Sequence, residues 1–211
     1  MNELGFIPVV LIPVVFIVAA YLLGSVSFGI LMSLAFGLSD PRTVGSGNPG
    51  ATNVLRSGKK AAAVLTLLGD ALKGWLAVWL AMQSGALMWV VCWVAMAVFI
   101  GHLYPIYYGF KGGKGVATAW GVMLAVSVWL GLAVLLTWLL VFAISRYSSL
   151  AAIAGAALAP IYALFLLRPY KDYVLMIFAI SVIIIWRHRG NIRKLLEGTE
   201  SRFDRKKNAG Q

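Results

Sequence analysis

Charged residues are scarce in this sequence. They make up 12% of its 211 residues, whereas hydrophobic residues make up 61%. An average soluble domain carries roughly 25% charged residues, so the composition argues against an ordinary soluble protein. It predicts an integral membrane protein.

Cysteine and histidine are nearly absent as well. Cys92 is the single cysteine, so no disulfide can form within the chain, and its apolar surroundings favour packing as a small hydrophobic side chain. The two histidines are far apart, and no Ser/His/Asp, Cys/His or metal-binding cluster is visible. We therefore expect no metal and no cofactor, and any catalysis should depend mainly on positioning and stabilising charge.

Long uncharged stretches are what the sequence has instead. One bilayer crossing needs about 20 apolar residues. The first stretch lacks the basic start and small-residue cleavage site of a signal peptide, so we expect a retained helix. We find no internal repeat, and we expect one transmembrane domain over residues 1–198 and a basic cytoplasmic tail over 199–211. The uncharged stretches are residues 4–39, 74–110, 115–145, 147–167 and 173–186.

The positions of Lys and Arg predict the orientation of the chain. They concentrate in the connections at 39–60, 111–114 and 146 and in the tail after Trp186. Short loops rich in Lys and Arg remain cytoplasmic, so these connections and the C-terminus should lie inside and the N-terminus outside. The net charge of +11 then reflects membrane orientation and not nucleic-acid binding.

Connections on the same side of a membrane must be separated by an even number of crossings. The 31 residues of 115–145 are too many for one ordinary span, so we expect two short helices that turn near Trp129–Gly131. The predicted fold is an all-α bundle of seven transmembrane helices. Their expected positions are 7–36, 61–82, 87–104, the two helices within 115–145, 149–167 and 173–187.

Two glycine-rich, basic stretches interrupt the apolar sequence, at 45–56 and 112–115. Glycine allows consecutive backbone N–H groups to turn toward an anion, and Arg56 and Lys114 supply positive charge. The second stretch does not match the nucleotide P-loop, because Gly115 follows Lys114 where Ser or Thr is required. These features predict binding of phosphate without a nucleotide.

The first stretch also carries hydroxyl and amide groups. Thr52 and Arg56 are four residues apart and would share one face if a helix begins there. Arg can bind a phosphate through two parallel hydrogen bonds. The glycines and asparagines could instead serve only to form turns. The polar candidates here are Ser46, Asn48, Thr52, Asn53 and Arg56.

Two further clusters are expected on the cytoplasmic side. Arg146 precedes the helix that Ser149 opens, and Ser149 could contact substrate or only cap that helix. His188 and Asn191 follow the last span and are three residues apart, so on a helix they would point the same way. Both clusters would then face the glycine-rich stretches.

Asp70 and Lys73 are charges within a predicted span, three residues apart. Ionised groups inside a membrane are costly unless they are paired. We expect a structural ion pair that faces the bundle, with contact to substrate as the alternative.

Taken in order, these motifs resemble those of a known family. From residue 24 to 200 they are similar to the bacterial acyl-phosphate-dependent glycerol-3-phosphate acyltransferase, the PlsY family. The resemblance implies transfer of a fatty acyl group from acyl phosphate to sn-glycerol 3-phosphate. The motifs are Ser-Gly-Asn-x-Gly-Ala-Thr-Asn-x-x-Arg, Gly-His-x-x-Pro, Lys-Gly-Gly-Lys-Gly-Val-Ala-Thr, Arg-Tyr-x-Ser-Leu and His-Arg-x-Asn-Ile-x-x-Leu-Leu-x-Gly-x-Glu.

The products implied are lysophosphatidic acid and phosphate, in the first acylation step of phospholipid synthesis. The resemblance also implies a seven-helix protein of the bacterial inner membrane with a cytoplasmic active site. The partners implied are the two substrates, membrane lipid and the soluble enzyme that makes acyl phosphate from acyl carrier protein.

Residue chemistry and resemblance together define an expected site. The expected catalytic residues are Ser46, Arg56, Lys114, His188 and Asn191. The expected substrate or phosphate ligands are Gly47, Asn48, Thr52, Asn53, Gly112, Gly113, Gly115, Arg146 and Ser149.

Two alternatives remain open at this point. The proton of the glycerol hydroxyl could pass to His188 or to a phosphate oxygen of the donor. A transporter of an organic phosphate would also need basic residues and glycine breaks, but near the middle of the membrane and often in two related halves. The expected clusters lie at one face, which favours the enzyme.

Overall fold

A computed structural model describes residues 6–203 of the chain. Within this range the chain forms ten α-helices and one short 3-10 helix, Ile106–Tyr108, and no strand. The all-helical prediction is therefore confirmed for the described residues. The helices are α1 Phe6–Ser25, α2 Phe28–Ala35, α3 Ala51–Leu55, α4 Lys60–Gln83, α5 Met88–Leu103, α6 Val116–Val126, α7 Val128–Ser145, α8 Ser148–Leu166, α9 Lys171–Arg187 and α10 Arg189–Leu196.

Four of these helices, α4, α5, α7 and α8, are long and apolar enough to cross a membrane. The number rises to six if each of two bent pairs counts as one span. These pairs are α1 with α2, bent by 41°, and α9 with α10, bent by 54°. The α10 helix buries none of its residues and carries Arg193 and Lys194 in its last turn. We therefore place the end of the last span at Arg187.

The single helix expected over 7–36 is interrupted between α1 and α2. Ser27 caps α2, its hydroxyl accepting a hydrogen bond from the N–H of Ile30 at 3.5 Å. A hydroxyl side chain satisfies an otherwise unpaired N–H at the start of a helix. The apolar run alone gave no indication of this break.

The turn expected near Trp129–Gly131 lies earlier, at Ser127, and that prediction was wrong in position. Ser127 is extended, with φ −157° and ψ 122°, and its hydroxyl accepts from the N–H of Leu130 at 3.4 Å. The two helices are also unequal. At 1.5 Å per residue, α6 is about 16 Å long and α7 about 27 Å.

Small residues let the helices approach closely. A Cβ atom added to Gly121 of α6 would lie 1.9 Å from the carbonyl oxygen of Ala71 in α4, so only glycine fits there. Such small-residue contacts are typical of helix pairs in membranes. Large side chains on α7 point outward instead, as expected of a lipid-facing surface, and include Leu132, Leu136, Leu139 and Leu140.

Candidate active site

The first glycine-rich stretch is organised around Asn53, which is 4% exposed. Its Nδ2 donates to the carbonyl oxygens of Pro41 at 2.7 Å and Val44 at 3.1 Å, while its Oδ1 accepts from the N–H of Ser46 at 3.0 Å. The amide expected to bind phosphate is thus occupied with the loop backbone. Asn53 shapes the loop that presents the other groups.

The exposed part of this loop carries Ser46 and Gly47, and Asn48 is half-buried beside them. The loop leads into α3, so Thr52 and Arg56 lie at the two ends of a single helical turn, as expected. The hydroxyl of Thr52 is 3.0 Å from that of Ser148 at the start of α8. This contact links the first cluster to the third.

The second glycine-rich stretch lies directly on the end of α5. The N–H of Gly113 donates to the carbonyl oxygen of His102 at 3.2 Å, and a Cβ on Gly112 would lie 2.2 Å from that oxygen. Gly115, with φ +82°, precedes α6. Side chains are excluded here by both space and backbone conformation, which leaves Lys114 as the only long side chain among these glycines.

Arg187, at the end of α9, holds this loop from the other side. Its Nη2 donates to the carbonyl oxygens of Gly113 at 2.9 Å and Gly112 at 3.4 Å. The guanidinium also lies over the ring of Tyr104, 5.4 Å from the centroid. The loop backbone is therefore held between α5 and α9.

Three of the four clusters meet at one carboxylate. The ammonium of Lys114 donates to Oδ1 of Asn191, and Nδ2 of Asn191 donates to Oε1 of Glu200 at 2.8 Å. The hydroxyl of Ser149 donates to the same Oε1 at 2.6 Å. Ser149 lies in the first turn of α8 and not at its cap, Tyr147.

The remaining cluster reaches the same region through the segment 199–203, which we term the return segment. Nη2 of Arg56 donates to Oγ of Ser201 at 2.7 Å. The N–H of Phe203 donates to the carbonyl oxygen of Arg146 at 2.9 Å, and its ring packs against Phe142. Arg146 thus contacts this segment through its backbone, while its side chain is exposed.

His188 is 3% exposed and follows α9. Its Nδ1 lies 2.8 Å from the carbonyl oxygen of Ile184. A carbonyl can only accept, so Nδ1 carries the hydrogen and Nε2 of the neutral ring keeps its lone pair. Burial lowers the pKa of His188 to about 4, and the nearby charges of Lys114 and Arg187 add to this effect. His188 is therefore neutral at physiological pH.

The pKa of Lys114 is also lowered, first by burial and then by the positive charges of Arg187, Lys194 and Arg56. The carboxylate of Glu200 acts in the opposite direction. The region around Lys114 thus holds more positive than negative charge. Such a region favours an anionic ligand.

An open cleft of about 420 Å³ lies between the two glycine-rich stretches. Arg42 in its wall is paired with Asp40, the two side chains meeting at 2.7 Å between Nη2 and Oδ2, and this pairing lowers the pKa of Asp40. Lys111 is exposed at the same cleft. The lining residues are Asp40, Arg42, Thr43, Gly47, Lys111 and Gly112.

Sequence reasoning did not select Glu200, Ser201 or Arg187 as site residues. Glu200 closes the pattern Leu-Leu-x-Gly-x-Glu, which was a usable signal, but a charged residue near a C-terminus is typical of a solvated tail. Arg187 resembled the basic residues that orient a helix beside the membrane.

Within residues 6–203, no group of three or more His, Cys, Asp or Glu residues could hold a metal ion.

Comparison with known proteins identifies close relatives. A family model described as glycerol-3-phosphate acyltransferase matches residues 14–198. A glycerol-3-phosphate acyltransferase of Methylobacillus flagellatus is 66% identical over 192 residues, covering 91% of this chain and 97% of that protein. One of Burkholderia vietnamiensis is 60% identical over 191 residues, covering 90% of each.

Two solved structures share the fold. The crystal structure of PlsY, an integral membrane glycerol 3-phosphate acyltransferase, in its glycerol 3-phosphate form matches with a TM-score of 0.87 and 42% identity. The lysophosphatidic acid form matches with a TM-score of 0.84 and 40% identity. Each match covers 94% of this chain and 99% of the other. The prediction of an integral membrane protein is thereby confirmed.

Proposed function

This chain belongs to the glycerol-3-phosphate acyltransferase family, and we propose that it transfers a fatty acyl group from acyl phosphate to sn-glycerol 3-phosphate. The products are lysophosphatidic acid and phosphate, in the first acylation step of phospholipid synthesis. One observation carries the proposal. Arg56, Ser149 and Asn191 each bond to the return segment, and Lys114 bonds to Asn191, so that four separate parts of the chain meet there.

In this proposal Lys114 and Arg56 bind the phosphate of glycerol 3-phosphate. Within the described part of the chain, Asn191 uses one of the three ammonium protons of Lys114, so two remain for phosphate oxygens. Arg56 can add two parallel bonds. The exposed loop with Ser46, Gly47 and Asn48 would contribute further donors on the same side.

Glu200 acts as a positioning residue. By accepting from Nδ2 of Asn191, it turns Oδ1 of that amide toward Lys114. Its negative charge also opposes the lowering of the pKa of Lys114 by burial and so helps to keep the ammonium protonated. Ser149, bonded to the same oxygen, ties α8 to this arrangement.

The reaction needs little covalent assistance, because acyl phosphate is an activated mixed anhydride. The hydroxyl oxygen of glycerol 3-phosphate attacks the carbonyl carbon, the bond from that carbon to the phosphate oxygen breaks, and phosphate leaves with the electron pair. The protein contributes by aligning two anions and stabilising the charge that develops on the carbonyl oxygen and the leaving group.

We infer that the hydroxyl proton passes to a phosphate oxygen of the donor. A pKa of about 4 makes His188 a weak base near neutral pH, and general-base catalysis is most effective when the pKa is close to the working pH. The free lone pair on Nε2 can still accept a hydrogen bond from the hydroxyl. His188 would then orient the attacking oxygen.

The donor needs a second anion site, and the cleft between the two glycine-rich stretches is the place we propose for its phosphate. Its wall shares Gly112 with the Lys114 loop and Gly47 with the Arg56 loop. Lys111 supplies an exposed charge there. Lys111→Ala should raise KM for acyl phosphate about threefold while KM for glycerol 3-phosphate stays unchanged, since one exposed ion pair contributes about 1 kcal/mol or less. A change confined to glycerol 3-phosphate would contradict this placement.

We further propose seven crossings of the bacterial inner membrane, with the N-terminus outside and the active site and C-terminus in the cytoplasm. The distribution of Lys and Arg supports this orientation. The short α6 would be one crossing and α7 the next. Residues 1–198 would form the transmembrane domain, and the basic tail over 199–211 would begin with the return segment, whose Glu200 and Ser201 belong to the site; residues 204–211 lie outside the described part. Cysteines introduced at Ser57 and Asn208 should react with an impermeant reagent only in inverted vesicles; reaction in intact cells would contradict the orientation.

The direct test of function is an assay of purified protein with acyl phosphate and glycerol 3-phosphate. We expect lysophosphatidic acid and phosphate in equal amounts. Acyl-CoA and acyl-carrier-protein thioesters are the control donors. Product from either thioester at a comparable rate would contradict acyl phosphate as the donor.

The proposed partner, the soluble enzyme that makes acyl phosphate from acyl carrier protein, is tested in the same assay. Its role is supported if adding this enzyme allows lysophosphatidic acid to form from the acyl-carrier-protein thioester.

A further inference from the structure

A charged cluster lies buried inside the bundle, apart from the proposed substrate ligands. Asp70 and Lys73 are each 2% exposed, and His102 is 6% exposed. Oδ1 of Asp70 lies 2.9 Å from Nζ of Lys73 and 3.5 Å from Nδ1 of His102. Burying charged groups is costly even when they are paired. The contacts of the cluster with the rest of the protein should therefore show which segments it stabilises.

Lys73 holds the break between α1 and α2. Its Nζ donates to the carbonyl oxygens of Gly24 at 2.9 Å and Val26 at 2.6 Å. With Asp70, three oxygens thus surround the three protons of the ammonium. A helix end leaves carbonyl groups without helical partners, and in a membrane these must be satisfied from within the protein. Lys73 therefore stabilises the bend that directs α2 toward the first glycine-rich stretch.

His102 holds the second glycine-rich stretch. Its carbonyl oxygen accepts from the N–H of Gly113, and its ring lies against the same residue, since a Cβ there would be 2.3 Å from Nε2. The next residue is Lys114. A movement of the imidazole would therefore be transmitted to the backbone beside the proposed phosphate ligand.

The same break also contacts the segment after α5. The N–H of Ile106 donates to Oγ of Ser25 at 3.3 Å, and the hydroxyl of Tyr21 donates to the carbonyl oxygen of Tyr104 at 2.8 Å. The end of α1 and the end of α5 are thus joined directly, in addition to the path through Lys73, Asp70 and His102.

We propose that Asp70, Lys73 and His102 are positioning residues that set the two phosphate-binding loops relative to each other. Lys73 fixes the bend before the first loop, and His102 supports the second. The Asp70 carboxylate lies between the two side chains, 2.9 Å from Nζ of Lys73 and 3.5 Å from Nδ1 of His102, the latter a contact without hydrogen-bond geometry. The inference rests on the proposed function in assuming that these loops bind glycerol 3-phosphate. It assigns this buried cluster a role in the site beyond that of an ion pair that merely supports folding.

The test compares the affinity for glycerol 3-phosphate with stability. His102→Asn removes the ring from Gly113 but leaves the ion pair of Asp70 and Lys73 intact. We expect its dissociation constant for glycerol 3-phosphate to rise at least fivefold by calorimetry in detergent, and KM to rise more than kcat falls. The control is Thr137→Val, which removes a buried bond of 2.8 Å to Tyr162 and should lower thermal stability while leaving both constants unchanged.

A second set of variants tests the coupling. Asp70→Asn, Lys73→Met and the double variant form a cycle, and we expect the double variant to lose about as much affinity as the worse single variant, because both break one path. Lys73→Met leaves Asp70 buried without its partner and could fail to fold. In that case the proposal is still tested by His102→Asn and by the double variant, which buries no unpaired charge. Unchanged affinity in both of these would overturn the proposal. Because calorimetry needs no donor, failure of the parent to bind glycerol 3-phosphate would count instead against the proposed function.

Discussion

The two ends of the helix bundle are held together in different ways. At the end opposite the candidate site, the connections are short and locally bonded. The hydroxyl of Ser84 donates to the carbonyl oxygen of Ala81, three residues away, and the N–H of Tyr170 donates to that of Leu167. At the site end, side-chain bonds join residues 145 apart in Arg56–Ser201 and 77 apart in Lys114–Asn191.

This difference distinguishes the end of the bundle that forms the candidate active site from the end that only connects helices. Local turns only reverse the chain, and any sequence with suitable turn residues can form them. Long-range polar bonds require several helices to end at the same place, and they hold positively charged residues close together despite their mutual repulsion. Substitutions at the site end should therefore affect activity, and chemically identical substitutions at the opposite end should not.

The largest effect is expected from removing the cation of the second loop. Lys114→Ala should lower kcat/KM by at least about 10²-fold, because it removes a cation that binds glycerol 3-phosphate and aligns its hydroxyl for attack. The protein should remain folded, since alanine is compatible with the local backbone. Lys171→Ala at the opposite end is the matched control and should leave kcat/KM unchanged. A requirement for ATP, or loss of activity with a chelator, would contradict the role of Lys114.

Arg56→Lys comes next. An ammonium cannot reproduce two parallel bonds to phosphate, so we expect kcat/KM to fall about tenfold, equivalent to ~1.4 kcal/mol. Arg168→Lys, in the turn between α8 and α9, is the control at the other end. If the two lysine variants have the same kcat/KM, Arg56 is not a ligand of the substrate.

Glu200→Gln tests the return segment. The amide preserves the shape of the side chain but removes the charge that supports Lys114, and we expect kcat/KM to fall about fivefold. Glu197→Gln is the control, because Glu197 is exposed and pairs with Arg193, four residues earlier, at 2.8 Å. Steady-state kinetics of both variants would separate a site effect from a general loss of negative charge; equal losses would argue against a positioning role for Glu200.

The smallest effect is expected for His188→Gln, about threefold and mainly in KM. With a pKa of about 4, His188 is neutral throughout pH 6 to 8 and gains a proton only as the pH falls toward 4. The pH dependence of the rate in this interval must then come from another group and should survive the substitution. A flat pH–rate profile together with a loss of kcat above a hundredfold would instead identify His188 as the general base.

Several residues of the candidate site could be found from sequence because their chemistry conflicts with their surroundings. Lys114 among glycines and Arg56 beside an apolar span are unexpected in a membrane protein, and the family resemblance drawn from such motifs is confirmed. Glu200 could not be selected in the same way, since a carboxylate in a charged tail is unremarkable until Ser149 and Asn191 are seen to donate to it. Asn53 carries an amide that could bind phosphate, but its hydrogen bonds to the loop backbone could not be predicted from the sequence.

The sequence by itself determined that the chain is a bundle of membrane helices with its basic residues gathered in a few connections. That information is local, because the transfer of each apolar stretch from water to lipid depends on its own composition. Tertiary structure alone decided the bend held by Lys73 and the meeting of Lys114, Ser149 and Asn191 around Glu200. These depend on hydrogen bonds between distant residues, which form only after the helices have packed.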